Sequence, residues 1–169
     1  FEVYSGDLTY IDIYLVGYTM SGVTFLTNAA DKSLSDTGAW TDIDCSTEAP
    51  SAIGLIWEVQ AGVSSYNRGF RKNGSTDERT DSATNHNSFG AIIGCDTAQI
   101  CEGYIANTAV DFFLVGYITD GCTFNTNATD VSLGTTGSWL DLSALPTGAL
   151  MGFIEVSSSG TTYSYGLRK

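Results

Sequence analysis

Basic side chains are scarce in this chain of 169 residues: 7 Lys and Arg stand against 19 Asp and Glu, so 7 minus 19 gives a formal net charge of -12. The seven are scattered and form no stripe that would neutralise phosphates, which argues against nucleic acid as a partner. An anionic membrane surface would repel the chain for the same reason. Long apolar runs are missing too. The longest, around Ile11 to Val16, is broken by Asp12 and falls far short of the roughly 18 residues a membrane span requires. Histidine occurs once, as His86 in ATNHNS, so a Ser-His-Asp triad would have a single base to draw on and no nucleophile elbow beside it. The four cysteines make no CxxC pair, so no zinc site is expected; no cofactor of any kind is expected either.

What is present suits a folded protein. Hydrophobic residues make up 43% and charged ones 15%, enough apolar material for a core and too little charge for a disordered chain. The length fits one large domain or two small ones. A chain that begins at Phe1 and shows no signal peptide reads as a mature or partial product. The even cysteine count, Cys45, Cys95, Cys101 and Cys122, in an acidic chain rich in Ser, Thr, Gly and Tyr, fits an extracellular protein with two disulfides. Four cysteines permit three pairings. Cys45 with Cys95 and Cys101 with Cys122 respects the repeats described next, Cys95 with Cys101 across CDTAQIC is the rival, and four buried thiols are the third state open to them.

An internal repeat is the strongest signal. At an offset of 99 residues, DIYLVGYTMSGVTFLTNAADKSLSDTGAWTD from Asp12 matches DFFLVGYITDGCTFNTNATDVSLGTTGSWLD from Asp111. Residues 10–42 and 109–141 share 18 identities in 33 ungapped positions. After two deletions the match resumes, AIGLIWEV at Ala52 with ALMGFIEV at Ala149 and YNRGFRK at Tyr66 with YSYGLRK at Tyr163. The chain is two copies of one unit.

Each copy reads as short strands. YIDIYLVGY, GVTFLTN, WTDID, AIGLIWEV and SFGAIIGC carry alternation or β-branched and aromatic runs of strand length, and TNAADKSLSDTG and STEAPS between them supply turn residues. No window holds a 3.6-residue apolar period and good helix formers are sparse. The expected fold is all-β, two β-sandwich modules in tandem, with Gly17/Gly116, Gly22/Gly121 and Gly38/Gly137 at bulges or turns. The expected division is 1–8 as a separate N-terminal strand, 9–99 as the first module and 100–169 as the second.

The copies differ in completeness. Copy one continues past Lys72 through NGSTDERTDSATNHN and the SFGAIIGC strand, whereas copy two as given reaches Lys169 without counterparts of Asn73 to Gln99. A sandwich short of a strand has an open cleft and unpaired edges that capture another strand. FEVYSGDL is a candidate donor: Phe1, Glu2, Val3, Tyr4 and Leu8 form the strand, with Ser5 and Gly6 as a flexible break. It aligns with ICEGYIAN from Ile100 at the same offset, so it also fits as the first strand of copy one in cis. Donation in trans to another copy, head to tail without closure, would produce a helical filament.

The motifs LVGY, GVTFLTNAADKSL, GFRKNGSTD and SFGAIIGCDTAQICEGYIANTAVDFFLVGY resemble the tandem Ig-like modules of bacterial and phage surface proteins. The chain as a whole is similar to pilus-like fibril protomers in which an N-terminal strand completes an Ig-like domain of another subunit. The resemblance implies two Ig-like modules, the second completed in trans, and a homopolymeric cell-surface appendage or virion-surface fibre. It implies no catalytic residue.

The residues with chemical potential have plainer explanations. Glu58 and Glu155, offered as glycosidase acids, hold the same repeat position, as do Asp12/Asp111, Asp31/Asp130 and Asp42/Asp141; turn-forming and strand-end roles account for them, and no enzyme is expected. Asn28, Asp31, Asn127 and Asp130 gather oxygen ligands without EF-hand spacing, and Asx-turns explain them without metal. Trp40 and Trp139 are repeat-equivalent and are expected in the core, whereas Trp57 has no Trp counterpart and is the aromatic to test for sugar stacking. That supports the alternative function, a tail-fibre or adhesin fragment binding a surface glycan or receptor. Asn73 in NGS and Asn127 in NAT are glycosylation sequons.

Overall fold

A computed structural model of the protein describes residues 19–62, 66–82, 88–132, 134, 137–141, 145–156 and 167. Among them are eight strands and no helix: β1 (Val23–Asp31), β2 (Trp40–Asp44), β3 (Gly54–Ala61), β4 (Asn67–Lys72), β5 (Asp81–Ser82), β6 (Ser88–Gly94), β7 (Ile100–Ile105) and β8 (Val110–Ile118). They form two four-stranded antiparallel sheets, ordered β1-β8-β3-β6 and β2-β7-β4-β5. The architecture is all-β and compatible with a β-sandwich. YIDIYLVGY and the N-terminal FEVYSGDL lie outside the described residues; GVTFLTN, WTDID, AIGLIWEV and SFGAIIGC fall on β1, β2, β3 and β6.

Period-two patterning explains the layers. In β8, Val110, Phe112, Leu114, Gly116 and Ile118 are buried and the residues between them half-buried, because successive side chains of a strand point to opposite faces. In β3, Leu55, Trp57, Val59 and Ala61 face inward in the same way. The sheets meet through aromatics: Trp57 of β3 stacks on Phe70 of β4 at 4.9 Å, and Phe70 lies 4.3 Å from Phe112 of β8. Leu55, Val59, Ile105, Val110 and Leu114 fill the rest. Offset or tilted ring pairs at these separations add to plain area burial. Val115 is an extra residue of β8 against β3, between Gly116 and Leu114, whereas against β8 the extra residues lie on β1, between Phe25 and Ala30.

The sandwich crosses the boundary drawn at 99/100. β7 and β8, assigned from sequence to the second module, are central strands, one in each sheet. β8 pairs with β1 on one side and β3 on the other, with Val23 opposite Ile118 and Gly54 opposite Ile118. β7 stands likewise between β2 and β4. A central strand satisfies both rows of its backbone groups and buries its inward face, so the strands that open the second copy complete the sheets of the first.

Candidate assembly surface

The two copies place equivalent residues in opposite environments. Trp57 and Val59 of β3 are 1% and 0% exposed, and their counterparts Ile154 and Val156 are 37% and 45% exposed. Leu140, Leu145, Leu150, Met151 and Phe153 are exposed large apolar residues of the same stretch. In the first copy β8 lies beside β3, with Leu114 next to Trp57 and Phe112 next to Val59, and Phe70 of the other sheet covers Trp57. The described residues 139–141 and 145–156 carry no strand. Two apolar side chains, Ile154 and Val156, are thus exposed where their repeat counterparts are buried.

The start of the second repeat is anchored on the end of the sandwich. Phe124 lies against Gly54 and Gly94, where an added Cβ would come within 2.5 Å of its ring and 2.4 Å of its Cβ, respectively; no side chain fits at either place. Lys72 Nζ donates to the Phe124 carbonyl at 3.1 Å, Ser75 Oγ and the Thr76 amide both donate to Asn127 Oδ1 at 2.9 Å, and the Ala128 amide donates to Asp77 Oδ2 at 2.7 Å. That last bond, before any charge effect, holds the Asp77 carboxyl below its usual range. Arg79 pairs with Asp77 at 2.8 Å and with Glu155 at 3.2 Å, and Phe124 stacks on Phe153 at 5.3 Å. The NGSTD loop of copy one is therefore a docking platform for copy two, a role its turn composition alone does not reveal.

Several residues singled out from sequence sit elsewhere than expected. Trp57 is a core residue, because it occupies an inward position of β3, and its ring is not available to a sugar. Its Nε1 has no hydrogen-bond partner. Trp40 faces out from the second sheet, not into the core: Arg71 lies over its ring at 4.4 Å, Tyr104 packs at 5.6 Å, and its Nε1 donates to Glu78 at 2.9 Å. Beside them Arg71 makes a two-pronged contact with Glu102 at 2.9 Å and 3.0 Å, which raises the Arg71 pKa. Trp139, the counterpart of Trp40, is exposed.

Cys45, Cys95, Cys101 and Cys122 are thiols in this structure, joined by none of the disulfides expected. Cys95 Sγ points to the Ala52 carbonyl at 3.2 Å and Cys45 Sγ to the Ile43 carbonyl at 3.9 Å, while Cys122 stands beyond the sandwich in the second repeat. Burial pushes the Cys45 thiol up to about 12, Cys95 to about 11 and Cys101 well above its usual value, which makes them poor nucleophiles.

The acids of both copies act in turns. Asp31 accepts from the Ser33 amide at 2.9 Å and hydroxyl at 2.6 Å, and Asp130 accepts from the Ser132 amide at 2.9 Å. These bonds lower both carboxyl pKa values. Glu58 accepts from Gln60 Nε2 at 2.8 Å, far in role from its counterpart Glu155. Asn73 donates through Nδ2, the nitrogen a glycan would occupy, to Asp96 at 2.7 Å; Asn127 is exposed and uses its oxygen. Among the described residues no group of three or more His, Cys, Asp or Glu is placed to hold a metal ion, and none forms a helix long and apolar enough to cross a membrane. His86 and the donor residues Phe1, Glu2, Val3, Tyr4 and Leu8 lie outside the described residues.

Comparison of the chain with protein-family models, with curated proteins and with solved structures returns no match.

Proposed function

We propose that this protein is the structural subunit of an extracellular fibre or pilus-like appendage. Its two Ig-like units stand in tandem, and an N-terminal segment of one copy completes the second repeat of its neighbour by donor-strand exchange. One observation carries the proposal: positions of the second repeat that match buried core of the first, such as Ile154 and Val156, are exposed. Full burial of each large apolar side chain contributes about 1.5–3 kcal/mol, and pairing of an added strand supplies main-chain hydrogen bonds as well. A filling strand therefore offsets the cost of association more readily than scattered surface contacts would. The glycan-binding alternative loses the aromatic on which it rested, because Trp57 is in the core.

The test is negative-stain electron microscopy of the full chain beside a variant lacking Phe1 to Leu8. Filaments in the first sample that are absent from the second are the expected result. Monodisperse particles in both would overturn the proposal and return attention to glycan or receptor binding by a piece of a longer fibre.

A further inference from the structure

We infer that the donor is not one strand but two, and that they enter the centre of both sheets of a second copy of this chain. The inference rests on the assembly proposed above and names its interlocking parts. In the described sandwich the central positions next to β1 and β2 belong to β8 and β7. Outside those strands, the sequence that matches them is residues 1–19. At the offset of 99, Ile11 to Thr19 fall on β8, and Ile11, Ile13, Leu15 and Gly17 take the places of the buried Val110, Phe112, Leu114 and Gly116. Four of the five inward positions are thus apolar or glycine, and Thr19 takes the place of the buried Ile118.

The first strand fits with a slip. An offset of 99 would set Glu2 on the buried position of Cys101, and a one-residue change of register exchanges the two faces of a strand. At an offset of 100, Glu2 and Tyr4 fall on Glu102 and Tyr104, Phe1 falls on the buried Cys101 and Ser5 on Ile105, and Val3 takes the place of Gly103, where the Phe112 ring that crowds an added Cβ is replaced by the smaller Ile13. The extra residue falls in the Gly6–Tyr10 link.

The acceptor is the complement. Residues 122–130 match β1, 139–143 match β2, 151–158 match β3 and 164–169 match β4. In the described sheets these are the neighbours of β8 and β7, in the orders β1-β8-β3 and β2-β7-β4, whereas β5 and β6 are edges. The second repeat carries sequence that matches both flanks of each sheet, and residues 1–19 carry sequence that matches the strands between them.

A second copy is favoured over the same chain by the order of the strands. β8 sits in the sheet that holds β1 and stands in the chain just ahead of 122–130, the stretch that matches β1. By the same order 11–19 enter a unit ahead of the one that β1 opens, and that unit is the second repeat of another copy.

The register gives the test. Val23 lies opposite Ile118; the equivalent pair across the new contact is Cys122 of one copy and Thr19 of the next. The full chain carrying Thr19→Cys, oxidised with diamide after assembly, is expected to give a ladder of covalent oligomers on non-reducing denaturing gels. The unsubstituted chain and Thr19→Cys/Cys122→Ser should give none. In parallel, Leu15→Asp, outside the Phe1–Leu8 segment, is expected to abolish filaments at tenfold the concentration at which the unsubstituted chain forms them. Filaments without a ladder, with Leu15→Asp still assembling, would overturn the two-strand donor and leave the proposed function standing. A disulfide confined to monomers would overturn the choice of a second copy, and the absence of both filaments and ladder would overturn the inference and the proposed function together.

Discussion

Phe112 and Ile13 occupy the same place in the repeat, and replacing each by alanine is expected to have different consequences. Phe112 is fully buried and lies 4.3 Å from Phe70 and 6.4 Å from Trp57. Phe112→Ala removes on the order of 150 Å² of apolar surface from the core, which at about 25 cal/mol/Å² is near 4 kcal/mol. Large-to-small substitutions of core aromatics cost about 3–5 kcal/mol, in agreement. With a urea slope of about 1.5–2 kcal/mol/M for a domain of this size, the unfolding midpoint followed by tryptophan fluorescence should fall by about 2 M. Ile13→Ala, measured on unassembled chain, should move that midpoint by less than about 0.5 M, since β8 already fills the place. Equal shifts, or a Phe112→Ala shift below about 0.5 M, would refute the assignment of residues 110–118 to the first sandwich.

Three other outcomes follow from the same geometry. Native chain should expose Cys122 to a thiol reagent at pH 8 while Cys45, Cys95 and Cys101 react only after denaturation, and a count of four fast thiols would contradict their burial. Because folding raises the Cys45 and Cys95 pKa values to about 12 and about 11, the stability they contribute is intact below about pH 9 and lost as pH rises toward those values; urea midpoints at pH 7 and pH 10.5 check the sign. Glu102→Gln, which breaks the two-pronged contact with half-buried Arg71, should destabilise by about 1–2 kcal/mol, whereas Glu78→Gln at the exposed partner should cost less than about 0.5 kcal/mol. Gly94→Val, whose Cβ would meet the Phe124 Cβ at 2.4 Å, should displace Phe124 and speed chymotryptic cleavage there at least tenfold, with an unchanged rate refuting the docking.

Strand positions were legible because alternation is a local property. GVTFLTN, WTDID and AIGLIWEV needed no knowledge of their neighbours to read as strands, and the Asp31–Ser33 and Asp130–Ser132 turns follow from Asx chemistry within three residues. Trp40 and Trp57 were not placed, because the face of a strand that becomes the inside depends on where the second sheet stands. Inward Ile43 left Trp40 on the outer surface, and inward Leu55 and Val59 carried Trp57 into the core. The NGSTD loop was equally opaque, since its partners Asn127 and Ala128 lie more than 50 positions further along the chain.

Composition and repetition alone determined that this is an acidic protein built from two related copies, with strand-like stretches of known place. Only the tertiary structure decided which strands share a sheet. The reason is physical: a strand records its own alternation, but not which edge it will pair with. Three-dimensional pairing set β8 between β1 and β3 and β7 between β2 and β4, at the centre of sheets begun far earlier in the chain, and left Ile154 and Val156 exposed where their repeat counterparts are buried.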